Sequence, residues 1–219
     1  MLVNFIALLG WSPGGDREKM TLAEMCELFT ADRIGKTNAR FDRDKLLSFN
    51  TDALVAAELP RKLAGFKDYL GANPPGPLSG LNEATLTRLL EINPTARIFR
   101  EIEEKSAILF EPDERIRYDE AALKKWLLKG ERVGIRVLED MRTALAEVVD
   151  FKPQTLETLI REYGEKHEMG LGKVAQPLRI AVTGATVSPP IFDTLALLGR
   201  TRTLARVERL FAYVQEQGL

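Results

Sequence analysis

Helical periodicity is the feature that most limits how this 219-residue sequence can fold. Apolar residues recur every three or four positions along most of the chain, and the alternation typical of strands is almost absent. The last predicted helix places Leu204, Val207, Phe211 and Val214 on its buried face and Arg202, Arg206 and Arg209 on the other side. The sequence therefore predicts an all-α fold.

Breaks in the periodic pattern define the predicted helices. They cover residues 2–9, 21–29, 41–49, 53–69, 82–92, 94–110, 119–129, 133–149, 154–163, 190–198 and 203–217, with Pro60 as a candidate interruption of the fourth. The most loop-like stretch runs from Asn73 to Gly80 and holds three of the prolines. We therefore predict two helical domains, 1–72 and 73–219, the second of them open to subdivision near residue 150.

Two residue counts exclude whole classes of site. The chain has one cysteine, Cys26, and one histidine, His167, which is too few for a structural zinc site or a disulfide scaffold. The Gly35-Lys36-Thr37 run has Thr30 where a phosphate-binding loop needs glycine. No catalytic residue and no metal ligand is predicted, and the reduced cysteine is consistent with the cytoplasm.

The apolar start of the chain, residues 2–11, needs separate attention because it could be taken for a targeting segment. It lacks the basic region and the small-residue cleavage site of a signal peptide. It is also too short to cross a bilayer as a helix. We predict a soluble helix and no membrane association.

Basic residues concentrate in two stretches although the net charge is only -1. The first stretch runs from Arg33 to Lys45, and the second contains Lys173, Arg179, Arg200, Arg202, Arg206 and Arg209. Such patches fit a ligand with phosphate groups, and solvated helix faces give the same pattern. Both interpretations stay open on charge alone.

Two long motifs resemble one family in the expected order. NFIALLGWSP at 4–13 is similar to the segment that follows the catalytic domain of bacterial glutamyl-tRNA synthetases. GKVAQPLRIAVTG at 172–184, followed by Ser188-Pro189 and Ile191-Phe192, resembles the anticodon-binding domain of that family. The resemblance implies a helical stem-contact domain followed by a helix-bundle cage around the anticodon.

The resemblance also implies what this chain does not carry. The H-x-G-H and K-M-S-K-S type motifs with which this family of class I ligases binds ATP do not occur in these 219 residues. ATP and Mg are thus implied for a separate catalytic part, with no cofactor in this chain. The implied partner is tRNA(Glu), with tRNA(Gln) open as a second, and the implied form is an inactive monomeric part of a cytoplasmic enzyme.

Two groups of candidate RNA-binding residues follow from matching positions in the family. The stem-contact group is Lys36, Arg40, Lys45 and Asn50, and the anticodon group is Arg161, Gln176, Arg179, Ser188 and Ile191. Basic side chains would neutralise phosphates, while Gln and Arg would bond to base edges. For Gln176 and Ile191 the alternatives are loop capping and core packing.

Thr95 and Arg97 are the residues expected to determine how well the last anticodon base is discriminated. Many members of the family that reject tRNA(Gln) carry an arginine at the position that the resemblance assigns to Thr95. With a helix predicted from Pro94, Arg97 would point in a different direction and could not replace it. Weak discrimination between the two tRNAs is therefore expected.

A second function stays open. The same helices could form a free-standing module that binds another RNA or a protein and has no connection with a ligase.

Overall fold

The computed structural model describes residues 1–35 and 40–219. These ranges contain eleven α-helices and no β-strand, which confirms the all-α prediction. The helices are α1 (Leu2–Gly10), α2 (Leu22–Leu28), α3 (Arg43–Ala56), α4 (Leu59–Ala72), α5 (Glu83–Ile92), α6 (Phe99–Phe110), α7 (Glu120–Trp126), α8 (Lys129–Glu147), α9 (Pro153–Lys166), α10 (Leu171–Thr183) and α11 (Ile191–Glu216). None of them combines the length and apolar character that a membrane crossing requires.

Capping residues account for the starts of several helices. Thr21 and Glu24 form the predicted capping box at α2, and Asp42 caps α3 by accepting from the Lys45 amide at 3.0 Å. Asn82 and Asp119 cap α5 and α7 in the same way. These short polar side chains bond to amides that a helix end leaves without intrahelical partners, so the starts can be read locally.

Helices α1 to α3 pack around a few aromatic rings. The Phe5 ring meets the Phe41 ring edge to face at 5.2 Å between centroids and the Phe49 ring at 6.2 Å. Buried Asn4 holds the following loop, since its amide donates to the Glu18 carbonyl at 2.7 Å and accepts from the Met20 amide at 2.6 Å.

A second apolar cluster joins α4, α5 and α6. Phe66 and Leu70 come before the predicted boundary at 72/73, and Leu78, Leu89 and Ile102 come after it. The cluster thus includes residues from both sides of the loop. The division into domains 1–72 and 73–219 stays a prediction.

The largest core lies among helices α6 to α11. α10 supplies eight buried residues, and α11 contacts α6, α8, α9 and α10. α11 bends at Gly199, where the sequence predicts a break between two helices. Because four helices surround it, α11 buries more than a single stripe of side chains.

Three sequence predictions of helices were wrong. The gap predicted at residues 50–52 is helical, because α3 continues to Ala56 and the break before α4 lies at 57–58. α10 was not predicted, since Pro177 lies in its interior and Ile180, Val182 and Thr183 are β-branched. Pro94 resembles a helix-starting proline, yet residues 93–96 form a turn in which the Ala96 amide bonds to the Asn93 carbonyl at 3.1 Å. α6 therefore begins five residues later than predicted, at Phe99.

Candidate nucleic-acid interface

The junction between α10 and α11 brings together two of the predicted anticodon residues. The Arg179 guanidinium donates to the Ser188 hydroxyl and, at 2.8 Å, to the Pro189 carbonyl. Thr194 at the start of α11 also donates to the Pro189 carbonyl, at 3.1 Å. Burial lowers the pKa of the Arg179 guanidinium. Arg179 therefore fixes the backbone of the junction.

Gln176 and Arg161 differ in their surroundings. Gln176 lies one turn before Arg179 on α10, and its Oε1 is enclosed without a hydrogen-bond partner among the described residues. Arg161 on α9 is 52% exposed and pairs with Glu157 one turn earlier, at 2.7 Å. Arg161 is thus the more accessible of the two for a ligand.

Ile191 packs in the core, which was the alternative to contact with RNA. Its side chain is only 4% exposed and belongs to the large cluster of helices α6 to α11. It therefore presents no apolar surface to a base in this structure.

Thr95 and Arg97 both precede α6 and are exposed. The helical geometry that argued against Arg97 does not apply to them, because neither residue is helical. Arg97 instead bonds to Glu101, with 2.6 Å between guanidinium and carboxylate. Its carbonyl accepts from the Asn50 side chain at 2.5 Å, so a predicted stem-contact residue touches the segment of a predicted anticodon residue.

The remaining stem-contact residues are only partly described. Lys36 lies outside the described residues. Arg40 is exposed, and it lines a small pocket with Lys45 at the side of α1. The Lys45 ammonium pairs with Glu18 at 2.5 Å, which leaves it less charge to offer a ligand.

The arginines of α11 do not form the exposed polar face that the sequence predicts. Arg206 is fully buried and donates to the carbonyls of Val182 at 2.6 Å and Ile108 at 3.0 Å. Arg202 donates to the Leu109 carbonyl at 2.8 Å. Arg200 and Arg209 likewise bond to backbone carbonyls, of Val148 and Glu114. The basic stretch near the C-terminus thus serves internal contacts.

These contacts stabilise helix ends. The last carbonyls of a helix have no intrahelical donor and carry partial negative charge. A guanidinium there both donates the missing hydrogen bonds and offsets the negative charge. Asp113 accepts from Arg202 at 2.6 Å and from Arg206 at 2.7 Å. Burial alone raises the pKa of Asp113, but the hydrogen bonds and the positive charges of the two arginines together outweigh it and hold the pKa below its ordinary value.

One basic surface was missed in the sequence. Arg61 and Lys62 on α4 and Arg100 on α6 line a groove beside α3. Nothing local links residues 61 and 100, since the fold alone brings them together.

The described residues contain no cluster of three or more His, Cys, Asp or Glu able to hold a metal ion.

The Arg179→Ala substitution tests whether Arg179 is structural. We expect it to lower the free energy of unfolding by about 1–3 kcal/mol, because charge-assisted bonds to a half-buried junction are lost. Thermal melting followed by circular dichroism measures this. Arg161→Ala is the matched control and should cost less than about 0.5 kcal/mol. An unchanged melting temperature for Arg179→Ala would show that the junction needs no anchor.

Comparison with known proteins defines the class. Residues 57–211 match the family described as the anticodon binding domain. The match covers more than half of the chain, and the chain belongs to this family.

One enzyme recurs among the relatives. The chain is 38% identical over 213 residues to the glutamate–tRNA ligase of Afipia carboxidovorans, covering 94% of this chain and 44% of that protein. For glutamate–tRNA ligase 1 of Erythrobacter litoralis the identity is 39% over 208 residues, covering 94% and 40%. The crystal structure of a glutamate tRNA ligase from Elizabethkingia meningosepticum has a TM-score of 0.78 at 25% identity, covering 95% of this chain and 40% of that one. The predicted relationship to glutamyl-tRNA synthetases is confirmed. The chain spans less than half the length of these relatives.

Proposed function

We propose that this chain is the tRNA-binding part of a glutamate–tRNA ligase, in which it binds tRNA(Glu) and contacts the anticodon. The observation that carries the proposal is the match of residues 57–211 to the anticodon binding domain family, within relatives named glutamate–tRNA ligase. The parent enzyme would attach glutamate to tRNA with ATP and Mg in a separate catalytic part. The chain itself would be inactive, monomeric and cytoplasmic.

The geometry supports a division of roles among the anticodon residues. Bases of an anticodon loop are unstacked, so side chains can stack on them and bond to their edges. Arg161 is exposed and can exchange Glu157 for a phosphate or a base. The unpartnered oxygen of Gln176 is enclosed in this structure, so it would accept from a base amino group only after its side chain turns outward. Arg179 would act indirectly, by holding Ser188 in place.

Binding and catalysis are tested together. Fluorescence anisotropy with a labelled tRNA(Glu) transcript should show binding that weakens with salt, each phosphate contact adding about -0.7 to -0.9 to the log–log slope. The same preparation should attach no glutamate to tRNA in the presence of ATP and Mg. Measurable glutamylation, or an affinity for tRNA(Glu) no greater than for an unrelated tRNA, would contradict the proposal.

Discrimination of the last anticodon base is the finer test. Thr95 offers only a hydroxyl. The Arg97 guanidinium is bound to Glu101, which is held more firmly than Glu157 because its carboxylate also accepts from the Arg97 amide at 2.9 Å. We therefore expect transcripts with the glutamate and the glutamine anticodon to bind within the ~1–3 kcal/mol of one good bidentate base contact. Competition binding measures the difference. A hundredfold preference for the glutamate anticodon would show that Arg97 or another group reads this base.

A further inference from the structure

We propose that the groove between α3, α4 and the first turn of α6 binds the phosphate backbone of RNA. We name it the α3–α4–α6 groove. It has a volume of about 580 Å³, and its polar lining comprises Asn50, Arg61, Lys62, Tyr69 and Arg100. The inference rests on the proposed tRNA-binding function and adds the surface on which the phosphates lie.

The charge of the lining points to an anionic ligand. Three of the lining residues are cations and none is an acid. Arg61 and Arg100 are exposed, and none of the three cations forms a salt bridge with another described residue. Cations that line a concave surface without counter-ions raise the local concentration of anions.

Nearby carboxylates do not neutralise the groove. Glu101 is bound to Arg97. Glu103 accepts from the Tyr69 hydroxyl at 2.6 Å and keeps its negative charge at the edge of the groove, where it is outnumbered by the three cations of the lining. Two more acids, Glu58 and Glu104, are exposed next to the groove in the chain, but neither belongs to its lining or forms a salt bridge with its cations. The positive charge of the groove is therefore not paired within the described part of the chain.

The other basic stretches are less available. The arginines of α11 hold backbone carbonyls, and Lys45 is paired with Glu18. In the α3–α4–α6 groove Lys62 donates weakly to the Val55 carbonyl at 3.3 Å and Arg100 bonds to the neutral Tyr69 hydroxyl, so none of the three cations is bound to a carboxylate of the described residues. Side chains that are not committed to the fold can bind phosphates at lower cost to stability.

Aromatic and amide side chains line the groove beside the cations. Its lining includes the Phe99 and Tyr69 rings, whose centroids are 6.1 Å apart. Asn50, also in the lining, bonds to the Arg97 carbonyl and so connects α3 with the turn before α6. A backbone lying here would therefore pass a predicted stem-contact residue, Asn50, beside the segment of Arg97. Phosphate contacts at such a place fix position and carry little sequence information.

The test is a variant in which Arg61, Lys62 and Arg100 are all replaced by glutamine. Binding of a labelled tRNA(Glu) transcript is measured from 0.05 to 0.3 M salt, with circular dichroism to check the fold. We expect the affinity to fall roughly tenfold or more at the lowest salt. The slope of log affinity against log salt should become shallower by roughly 2 to 3 units, one for each cation.

The matched control removes three charges elsewhere, with Lys124→Gln, Lys125→Gln and Lys129→Gln on α7 and α8. All three of these side chains are exposed. The control variant should keep the affinity and the slope of the unaltered chain.

The outcomes separate this inference from the proposed function. If the unaltered chain binds tRNA(Glu) and the groove variant behaves like the control, the groove assignment is wrong and the function stands. If the unaltered chain binds no tRNA, both fail. If the groove variant keeps its tRNA affinity but loses binding to poly-glutamate, the groove serves an acidic protein and the RNA assignment is overturned.

Discussion

Replacing Arg206 by methionine is expected to lower the free energy of unfolding by about 3 kcal/mol, or the melting temperature by roughly 6–12 °C. The guanidinium is fully buried and bonds to three carbonyls, Ile108, Glu111 and Val182, and to the Asp113 carboxylate. Methionine fills much of the same volume but leaves these acceptors without their donor. Thermal and urea unfolding followed by circular dichroism measure the loss.

The control for this substitution is Arg161→Met, which removes an exposed arginine with one ion pair and should cost less than about 0.5 kcal/mol. Equal stability of the two variants would show that the Arg206 contacts contribute little.

Lowering the pH should destabilise the folded chain, as Arg206→Met does. Because the pKa of Asp113 is lowered in the folded state, its contribution is present above the pKa it has in the unfolded chain. That contribution is lost as the pH falls through the lowered value.

The second large effect is expected for Gly184→Ala. Gly184 ends α10 with a φ of 79°, and a Cβ there would lie 2.1 Å from the Arg117 carbonyl oxygen. The left-handed conformation costs alanine about 1–2 kcal/mol, and the contact with rigid backbone adds about 1–3 kcal/mol. We expect a total loss of roughly 2–5 kcal/mol in unfolding free energy, measured by urea denaturation.

Gly172→Ala, in the same helix, is expected to change the free energy of unfolding in the opposite direction from Gly184→Ala. Gly172 lies in the first turn of α10, and a Cβ there would meet no atom within 4 Å. Alanine should leave stability unchanged or raise it by up to about 1 kcal/mol, since it restricts the unfolded chain. If both glycine variants lost stability equally, the close approach of Gly184 to Arg117 would not be the cause.

Local signals in the sequence predict most of the helices. The capping box at Thr21 and the cap at Asp42 act within four residues, so they can be read without the fold. α10 shows the limit of this reasoning. Its Pro177 is unfavourable in an isolated helix, and only burial against neighbouring helices offsets that cost.

The candidate site is predictable to a smaller extent. The resemblance points to Arg179 and Ser188, which the structure places in contact, but not to the structural role of Arg179. Arg206 looks like an exposed residue because arginine is seldom buried. Its partners precede it by more than ninety residues along the chain except for Val182, so no local pattern reveals them.

The long reach of these arginine contacts has a consequence for synthesis on the ribosome. The C-terminal ends of α6 and α8 are synthesised before α11. Their carbonyls therefore lack a hydrogen-bond donor until Arg200, Arg202 and Arg206 of α11 have been made. Until α11 has left the exit tunnel, the bundle lacks both a wall of its core and the donors for those helix ends. The nascent chain therefore passes through a long open stage with apolar surface accessible to chaperones. Closure of the bundle therefore requires that α11 be made and released from the tunnel.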